Sequence, residues 1–134
     1  HIESAIARHP LVAHVCLFGD DKAYLIAVIC LRYDGGEKRY ARTHGIRFKS
    51  RRQLAGNPAV QQLIRQQISS INQRFSRPEQ VKYFHLTSDV WSTDSGELTP
   101  TLKLKRNVIH QRYTAQIQSI YDKHDPNQHH NGHD

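Results

Sequence analysis

Two nearly uninterrupted apolar runs, Leu11 to Phe18 (LVAHVCLF) and Tyr24 to Leu31 (YLIAVICL), constrain this chain more than any other feature. Both are rich in Val, Ile and Leu, and the turn formers Gly19-Asp20-Asp21-Lys22 lie between them, so the spacing predicts an antiparallel hairpin. A strand with one wet face alternates apolar with polar residues. These runs barely alternate, so both faces of the pair need cover. The helices that could supply it are legible on either side. Ile2, Ala5 and Ile6 predict a short amphipathic helix stopped by His9-Pro10. Asn57-Pro58 is a helix start, because Asn caps free N–H groups and Pro costs nothing at the first helical position. From there Val60, Leu63, Ile64, Ile68, Ile71 and Phe75 recur on one face, predicting a helix to about Phe75 that Pro78 ends. Val81 to Leu86 alternates as a third strand would. After a polar, glycine-containing loop, Ile109, Tyr113, Ile117 and Ile120 share the face of a closing helix that ends near Lys123. The expected class is α+β: a small domain with a short, mainly antiparallel three-stranded sheet packed against helices.

A length of 134 residues suits one ordinary domain. No apolar run approaches the roughly 20 residues that span a bilayer, and the chain reads as soluble. It shows no secretory signal, and its opening on His1 rather than Met reads as a piece of a longer protein. Cys16 and Cys30 both lie inside apolar runs and lack the spacing of a disulfide framework or metal pair, so free buried thiols in a reducing cytosol are expected. The 19 Lys and Arg against 12 Asp and Glu favour anionic partners: nucleotides, nucleic acid or an acidic membrane surface. Eight of those cations fall between Arg32 and Arg52, against only Asp34 and Glu37, in a stretch that Gly35, Gly36 and Gly45 interrupt. That stretch should be exposed and partly helical. The histidine-rich end, residues 125–134, has no apolar residue able to join a core and is expected to be a disordered tail, with no fixed metal site.

The chemistry is expected in the segment Gly96-Glu97-Leu98-Thr99-Pro100-Thr101-Leu102-Lys103-Leu104-Lys105-Arg106. Ser95-Gly96 permits a turn, and Pro100 fixes its own φ while biasing Thr99 toward extended geometry. The backbone leading to Lys103 is thus constrained before a helix anchors it. A long-stemmed ammonium there is a directed point charge suited to phosphate oxygens and to negative charge that develops in a reaction. Lys105, two residues on, would face the other way. Arg106 could anchor the helix start or meet a carboxylate across a domain interface, Glu97 could hydrogen-bond within the loop, and Trp91 and Tyr83 read as core or interface aromatics.

The segment GELTPTLKLKR resembles the closing motif of the adenylate-forming enzymes, in the version carried by the long-chain fatty acid CoA ligases. In most other branches a Ser-Gly pair precedes the lysine, whereas Thr101-Leu102 stand here, which favours the long-chain branch. Ile2-Glu3 is similar to the start of the first helix after the family's hinge, and VCLFGDDKAYLIAVICL to the strand pair that follows. The helix with Ile71-Asn72 and the sequence RPEQVKYFHL also match, so the resemblance covers residues 1 to 124. It implies a mobile C-terminal lid domain that closes on a larger N-terminal domain of the same chain, then rotates about a hinge lying before His1. It implies Lys103 as the catalytic residue for acyl-adenylate formation, with Gly96, Glu97, Thr99, Pro100, Thr101 and Arg106 positioning its loop. ATP and Mg²⁺ would be held mainly by the N-terminal domain, CoA would be the co-substrate, and a fatty acid the acyl donor. The 134 residues alone should be inactive, and the full protein cytoplasmic, with a membrane surface as a further partner. The competing readings are a basic nucleic-acid-binding domain and a non-catalytic interaction module. No Gly-and-aromatic RNA signature and no groove-reading basic helix supports the former.

Overall fold

Every residue of the second apolar run except its first becomes the middle strand of a sheet. The computed structural model describes residues 1–19, 22–76 and 79–124. Its elements are α1 (Ile2–Ile6), β1 (Val12–Phe18), β2 (Leu25–Leu31), α2 (Gly36–His44), α3 (Arg51–Gly56), α4 (Pro58–Asn72), β3 (Val81–Thr87), α5 (Arg106–Arg112) and α6 (Thr114–His124). The sheet order is β1-β2-β3. All of β2 after Leu25 is buried, as a strand covered on both faces must be.

One face carries Ala27, Ile29 and Leu31 against Ile6 of α1, Leu54 of α3, and Val60, Ile64 and Ile68 of α4. The other carries Ile26, Val28 and Cys30 against Trp91, Leu98, Ile109 of α5, and Ile117 and Tyr121 of α6. β1 serves both faces through a bulge: Val12 pairs with Leu31 and His14 with Cys30, leaving Ala13 as the extra residue. The bulge resets the alternation, so Val12 and Val15 both join the first core. His14 stacks on Trp91 of the second at 6.1 Å.

The expectation of a mainly antiparallel sheet is corrected. β1 and β2 are antiparallel, but β2 and β3 are parallel, with Val28 opposite His85. The chain leaves the end of β2 and returns through α2, α3 and α4, and a helical crossover of this kind brings the next strand in alongside the first. Periodicity reports which residues share a face; strand direction depends on where the crossover lands.

α4 starts as expected, with Asn57 Oδ1 accepting from the N–H groups of Ala59 (2.8 Å) and Val60 (3.3 Å). It ends at Asn72, short of Phe75, because the Asn72 amide turns to clip the chain to β3. It donates to the Val81 carbonyl at 2.7 Å and accepts from Val81 N–H at 3.0 Å. The expected stop at Pro78 and the Asp20-Asp21 part of the hairpin turn lie outside the described residues, as does the expected tail at 125–134. The single closing helix is two, jointed at Tyr113 (φ −110°). Thr114 Oγ1 donates back to the His110 carbonyl at 2.6 Å, a bond that bends helices. The stretch from Arg32 to Arg52 is helical in two pieces, and all eight of its cations are exposed. Cys16 and Cys30 are free and buried. They are not cross-strand partners, since Cys16 faces Val28.

Candidate functional site

Between β3 and α5 the chain builds a small hairpin that carries Lys103 at its edge. Leu98 and Leu104 form an antiparallel bridge. Thr99 N–H donates to the Lys103 carbonyl at 2.8 Å, and Leu102 N–H donates to the Thr99 carbonyl at 2.8 Å, so the tip is Pro100-Thr101-Leu102. Pro100 fits the second position of such a turn because its φ is already set. Three-residue tips of this kind close with a left-handed residue, usually Gly or Asn, and here Leu102 takes that position with φ 65°. For a residue with a Cβ this costs about 1–2 kcal/mol.

Lys103 is pinned by its backbone and free at its end. Its N–H donates to Thr99 Oγ1 at 3.0 Å, its carbonyl is used by Thr99, and Thr93 Oγ1 donates to the Thr99 carbonyl at 3.1 Å. Thr101 lies exposed at the tip, its hydroxyl 3.2 Å from that of Thr99. The Lys103 side chain is exposed, and among the described residues its ammonium has no hydrogen-bond or ion-pair partner. Lys105 instead precedes α5, its N–H donating to the Glu97 carbonyl at 2.8 Å.

Two ion pairs hold the hairpin, one on each side. Before it, Glu97 is only 4% exposed. One of its oxygens accepts from Ser92 N–H (3.1 Å) and Ser95 Oγ (2.5 Å). The other is paired with the guanidinium of Arg112, on the last turn of α5. Gly96 makes room for this pair: its φ is 99°, and a Cβ there would lie 3.1 Å from Arg112 Nη2. After the hairpin, Arg106 grips Glu3 of α1 with both terminal nitrogens, at 2.6 and 2.5 Å. Glu3 also accepts from Leu17 N–H at 2.8 Å. Burial alone would raise the Glu3 pKa, but the hydrogen bonds from Arg106 and Leu17 and the Arg106 charge outweigh it and hold the carboxyl below its usual value. The carboxylate that meets Arg106 therefore belongs to this domain.

Beneath the hairpin, Leu98 and Leu104 rest on the second core. There Tyr113 gathers a polar network. Its hydroxyl donates to Asp89 Oδ2 at 2.7 Å, accepts from Trp91 Nε1 at 2.9 Å, and lies 3.0 Å from Thr87 Oγ1. Burial, with the Asp89 charge adding to it, pushes the Tyr113 phenol up to about 12. Trp91 is buried, as its aromatic character suggested; Tyr83 is half-buried, its ring stacked on His124.

The structure thus brings Gly96, Glu97, Thr99, Lys103 and Arg106 together and leaves Pro100 and Thr101 as the exposed tip. Sequence reasoning missed Glu3 and Arg112. Each meets its partner only through the tertiary fold: Glu3 reads only as part of the start of the first helix, and nothing around Arg112 marks it.

The small α+β domain matches in fold the C-terminal subdomain of adenylation domains. The A-PCP didomain of a carboxylic acid reductase from Segniliparus rugosus shares the fold with a TM-score of 0.68 and 19% identity, over 91% of this chain and 15% of that one. Residues 1–125 match the family described as the AMP-binding enzyme C-terminal domain, and the chain belongs to that family. Its curated relatives include the long-chain-fatty-acid–CoA ligase FadD15 of Mycobacterium tuberculosis, 30% identical over 125 residues, covering 91% of this chain and 20% of that protein. The putative fatty-acid–CoA ligase fadD11 of the same species is 33% identical over 122 residues, covering 90% and 21%. The mouse long-chain-fatty-acid–CoA ligase ACSBG2 is 30% identical over 128 residues, covering 84% and 19%. The chain spans about one-fifth of the length of these relatives.

Proposed function

We propose that this domain is the mobile lid of an ATP-dependent long-chain fatty acid CoA ligase and that Lys103 supplies the positive charge for acyl-adenylate formation. The observation that carries the reading is an ammonium with no partner among the described residues, on a hairpin whose backbone is pinned at both the N–H and the carbonyl of the same residue. In the first half-reaction a fatty carboxylate oxygen attacks the α-phosphorus of ATP and pyrophosphate leaves. Two anions must meet, and the transition state spreads further negative charge over its oxygens. A positioned cation lowers that barrier without forming a bond. In the second, the thiol of CoA adds to the acyl carbonyl and AMP leaves, a step in which a rotated lid withdraws the lysine.

The residues fit only part of what this chemistry requires. An exposed ammonium suits the carboxylate and α-phosphate oxygens. Among the described residues no group of three or more His, Cys, Asp or Glu could hold a metal ion, and on the ligase reading ATP and Mg²⁺ are held mainly by an N-terminal domain. On this reading Gly96, Glu97, Thr99, Pro100, Thr101 and Arg106 act through Lys103 by fixing its hairpin. The 134 residues alone are inactive on this reading, because an N-terminal domain holds most of the substrates. The two free thiols support a cytoplasmic location.

The test is to follow fatty-acyl adenylate formation and CoA attack on preformed adenylate separately, in the full-length enzyme and its Lys103→Ala variant. Losing one preorganised charge contact should slow adenylation by roughly a hundredfold to a thousandfold and leave CoA attack intact. Equal adenylation by both proteins would remove Lys103 from the mechanism.

A further inference from the structure

The whole chain carries a net charge of +7, and the stretch from Arg32 to Arg52 holds a surplus of six of it. Its eight cations are all exposed. Of the two carboxylates of the stretch, Asp34 offsets Arg32, which it pairs at 3.6 Å, while Glu37 is 4% exposed and accepts from Gly35 N–H at 2.6 Å. α2 turns its small residue Ala41 inward, ends at Gly45 in the left-handed conformation, and leaves Lys38, Arg39 and Arg42 facing water. Four of the cations, Lys38, Lys49, Arg51 and Arg52, line one open groove of about 660 Å³, with Tyr33 and Phe48 on its walls. Arg51 is held over the Tyr33 ring at 5.9 Å, its Nε donating to the Ser88 carbonyl at 2.9 Å. Two carboxylates reach this groove: the buried Glu37, and Asp89, which accepts from the Tyr113 hydroxyl.

Separated like charges on a small domain repel one another, and a face that concentrates them gains most from a matching anion. The shape of this face favours an extended anion over a single small one. α2 alone is about 14 Å long at 1.5 Å per residue, and the charges continue through the loop into α3. The aromatic rings of the stretch are already engaged, which removes the stacking platform that a single-stranded nucleic acid needs. Tyr40 stacks on His44 at 3.8 Å, and the Tyr33 hydroxyl donates to the Thr87 carbonyl at 2.7 Å. One residue beyond Asp89, Val90 stands 48% exposed, one of two large apolar side chains so placed among the described residues. A basic groove with an apolar side chain next to it in the chain matches a lipid headgroup layer.

We propose that the α2–α3 face docks on anionic lipid bilayers, with a lipid phosphate seated in the groove of Lys38, Lys49, Arg51 and Arg52. The ligase reading adds only a reason for it, since fatty acids partition into bilayers; the docking itself needs no turnover. The experiment is sedimentation of the 134-residue chain with phosphatidylcholine vesicles, with and without phosphatidylglycerol, at low and high salt. The chain should bind only the anionic vesicles and release in high salt. Changing Lys38, Lys49, Arg51 and Arg52 to Gln should weaken binding roughly a hundredfold or more. A matched variant with Arg8, Arg74, Lys82 and Lys123 changed to Gln loses the same charge elsewhere and should keep most of its binding. The pair Lys38→Gln and Lys49→Gln, whose ammonium groups have no hydrogen-bond or ion-pair partner among the described residues, should lose about tenfold or more, and it guards against misfolding of the larger variant. Equal losses in the two fourfold variants would reduce the effect to net charge and overturn the proposal. So would no binding to anionic vesicles, or binding to a single-stranded RNA homopolymer in preference to them. Equal adenylation by both proteins in the Lys103→Ala test would overturn the role of Lys103 and leave this result untouched.

Discussion

The two faces of the sheet are covered by different kinds of side chain. Toward α1, α3 and α4 every buried residue of the core is aliphatic, from Ile2 and Ile6 through Leu54 to Ile64, Ile68 and Ile71. Toward α5 and α6 the cover includes Trp91, Tyr113, Tyr121 and two thiols, and the polar groups Thr87 and Asp89 meet at the Tyr113 hydroxyl. The hairpin of Lys103 sits on this second face, fastened by Glu97–Arg112 and Glu3–Arg106. Apolar burial has no direction, so the aliphatic face can supply stability without specifying where any one atom lies. Hydrogen bonds and ion pairs are directional, and they fix the hairpin that carries Lys103.

This contrast can be broken from either side. The largest effect on stability is expected from Ile64→Ala, which empties a fully buried site on the aliphatic face. It should lower the unfolding free energy by about 2–5 kcal/mol in denaturant titrations. Below the melting point, adenylation and CoA attack in the full-length enzyme should fall together or not at all. A selective loss of adenylation would mean that the aliphatic face also aims the lysine.

Glu97→Gln should cost less stability, about 1.5–3 kcal/mol, because it keeps the side chain's volume while giving up charge-assisted bonds to Arg112 and Ser95. Here adenylation should slow selectively while CoA attack on preformed adenylate holds its rate. Unchanged adenylation would show that the hairpin does not need this pair.

Acid should act on both faces. Burial depresses the pKa of His9, His14 and His85 from the usual 6.5; beside His9 the His44 charge adds to this, beside His14 the Arg32 charge adds, and beside His85 Asp89 partly opposes it. His9 Nδ1 accepts from Leu11 N–H at 3.1 Å, which requires it unprotonated. The unfolded chain takes up these protons first, so stability present above 6.5 is lost as the pH falls through the depressed values. Glu3 adds a second loss below its usual 4.5, as the Arg106 pair is protonated apart. A melting temperature that stays flat from about pH 8 to 5 would contradict this.

The smallest effect belongs to Leu102→Gly. It removes the left-handed strain of about 1–2 kcal/mol but adds roughly 0.5–1 kcal/mol of backbone entropy to the unfolded state. A net gain of about 0–1.5 kcal/mol should appear as a slightly higher melting temperature. A fall would mean that the exposed Leu102 side chain makes packing that outweighs the strain.

Much of the fold was legible because covering a strand pair on both faces leaves a trace in every residue of the strands. The stripe of α4 and the capping Asn57 were readable for the same reason: helix periodicity and cap chemistry are local. The parallel entry of β3 was not, since nothing in Val81 to Leu86 records where a crossover returns. The break at Tyr113 was hidden by a periodicity that continues through it, while its hydroxyl answers to Asp89, Trp91 and Thr87 on other elements.

The candidate site divides in the same way. The run from Gly96 to Arg106 marks itself, because a turn former, a fixed proline and a lysine standing in order along the chain constrain the backbone that presents the lysine. Which groups hold that hairpin could not be read there. Arg112 lies beyond a loop from Glu97, and Glu3 lies at the far end of the chain from Arg106. The amino-acid sequence by itself determined the two covered strands, the capped helix and a constrained segment that presents Lys103, because those follow from local backbone and apolar periodicity; its closure into a hairpin was seen only in the structure. Only the tertiary structure decided the strand direction, the two arginine clamps and the convergence of Lys38, Lys49, Arg51 and Arg52 on one groove, because charge pairing acts between side chains whose separation in space the sequence does not record.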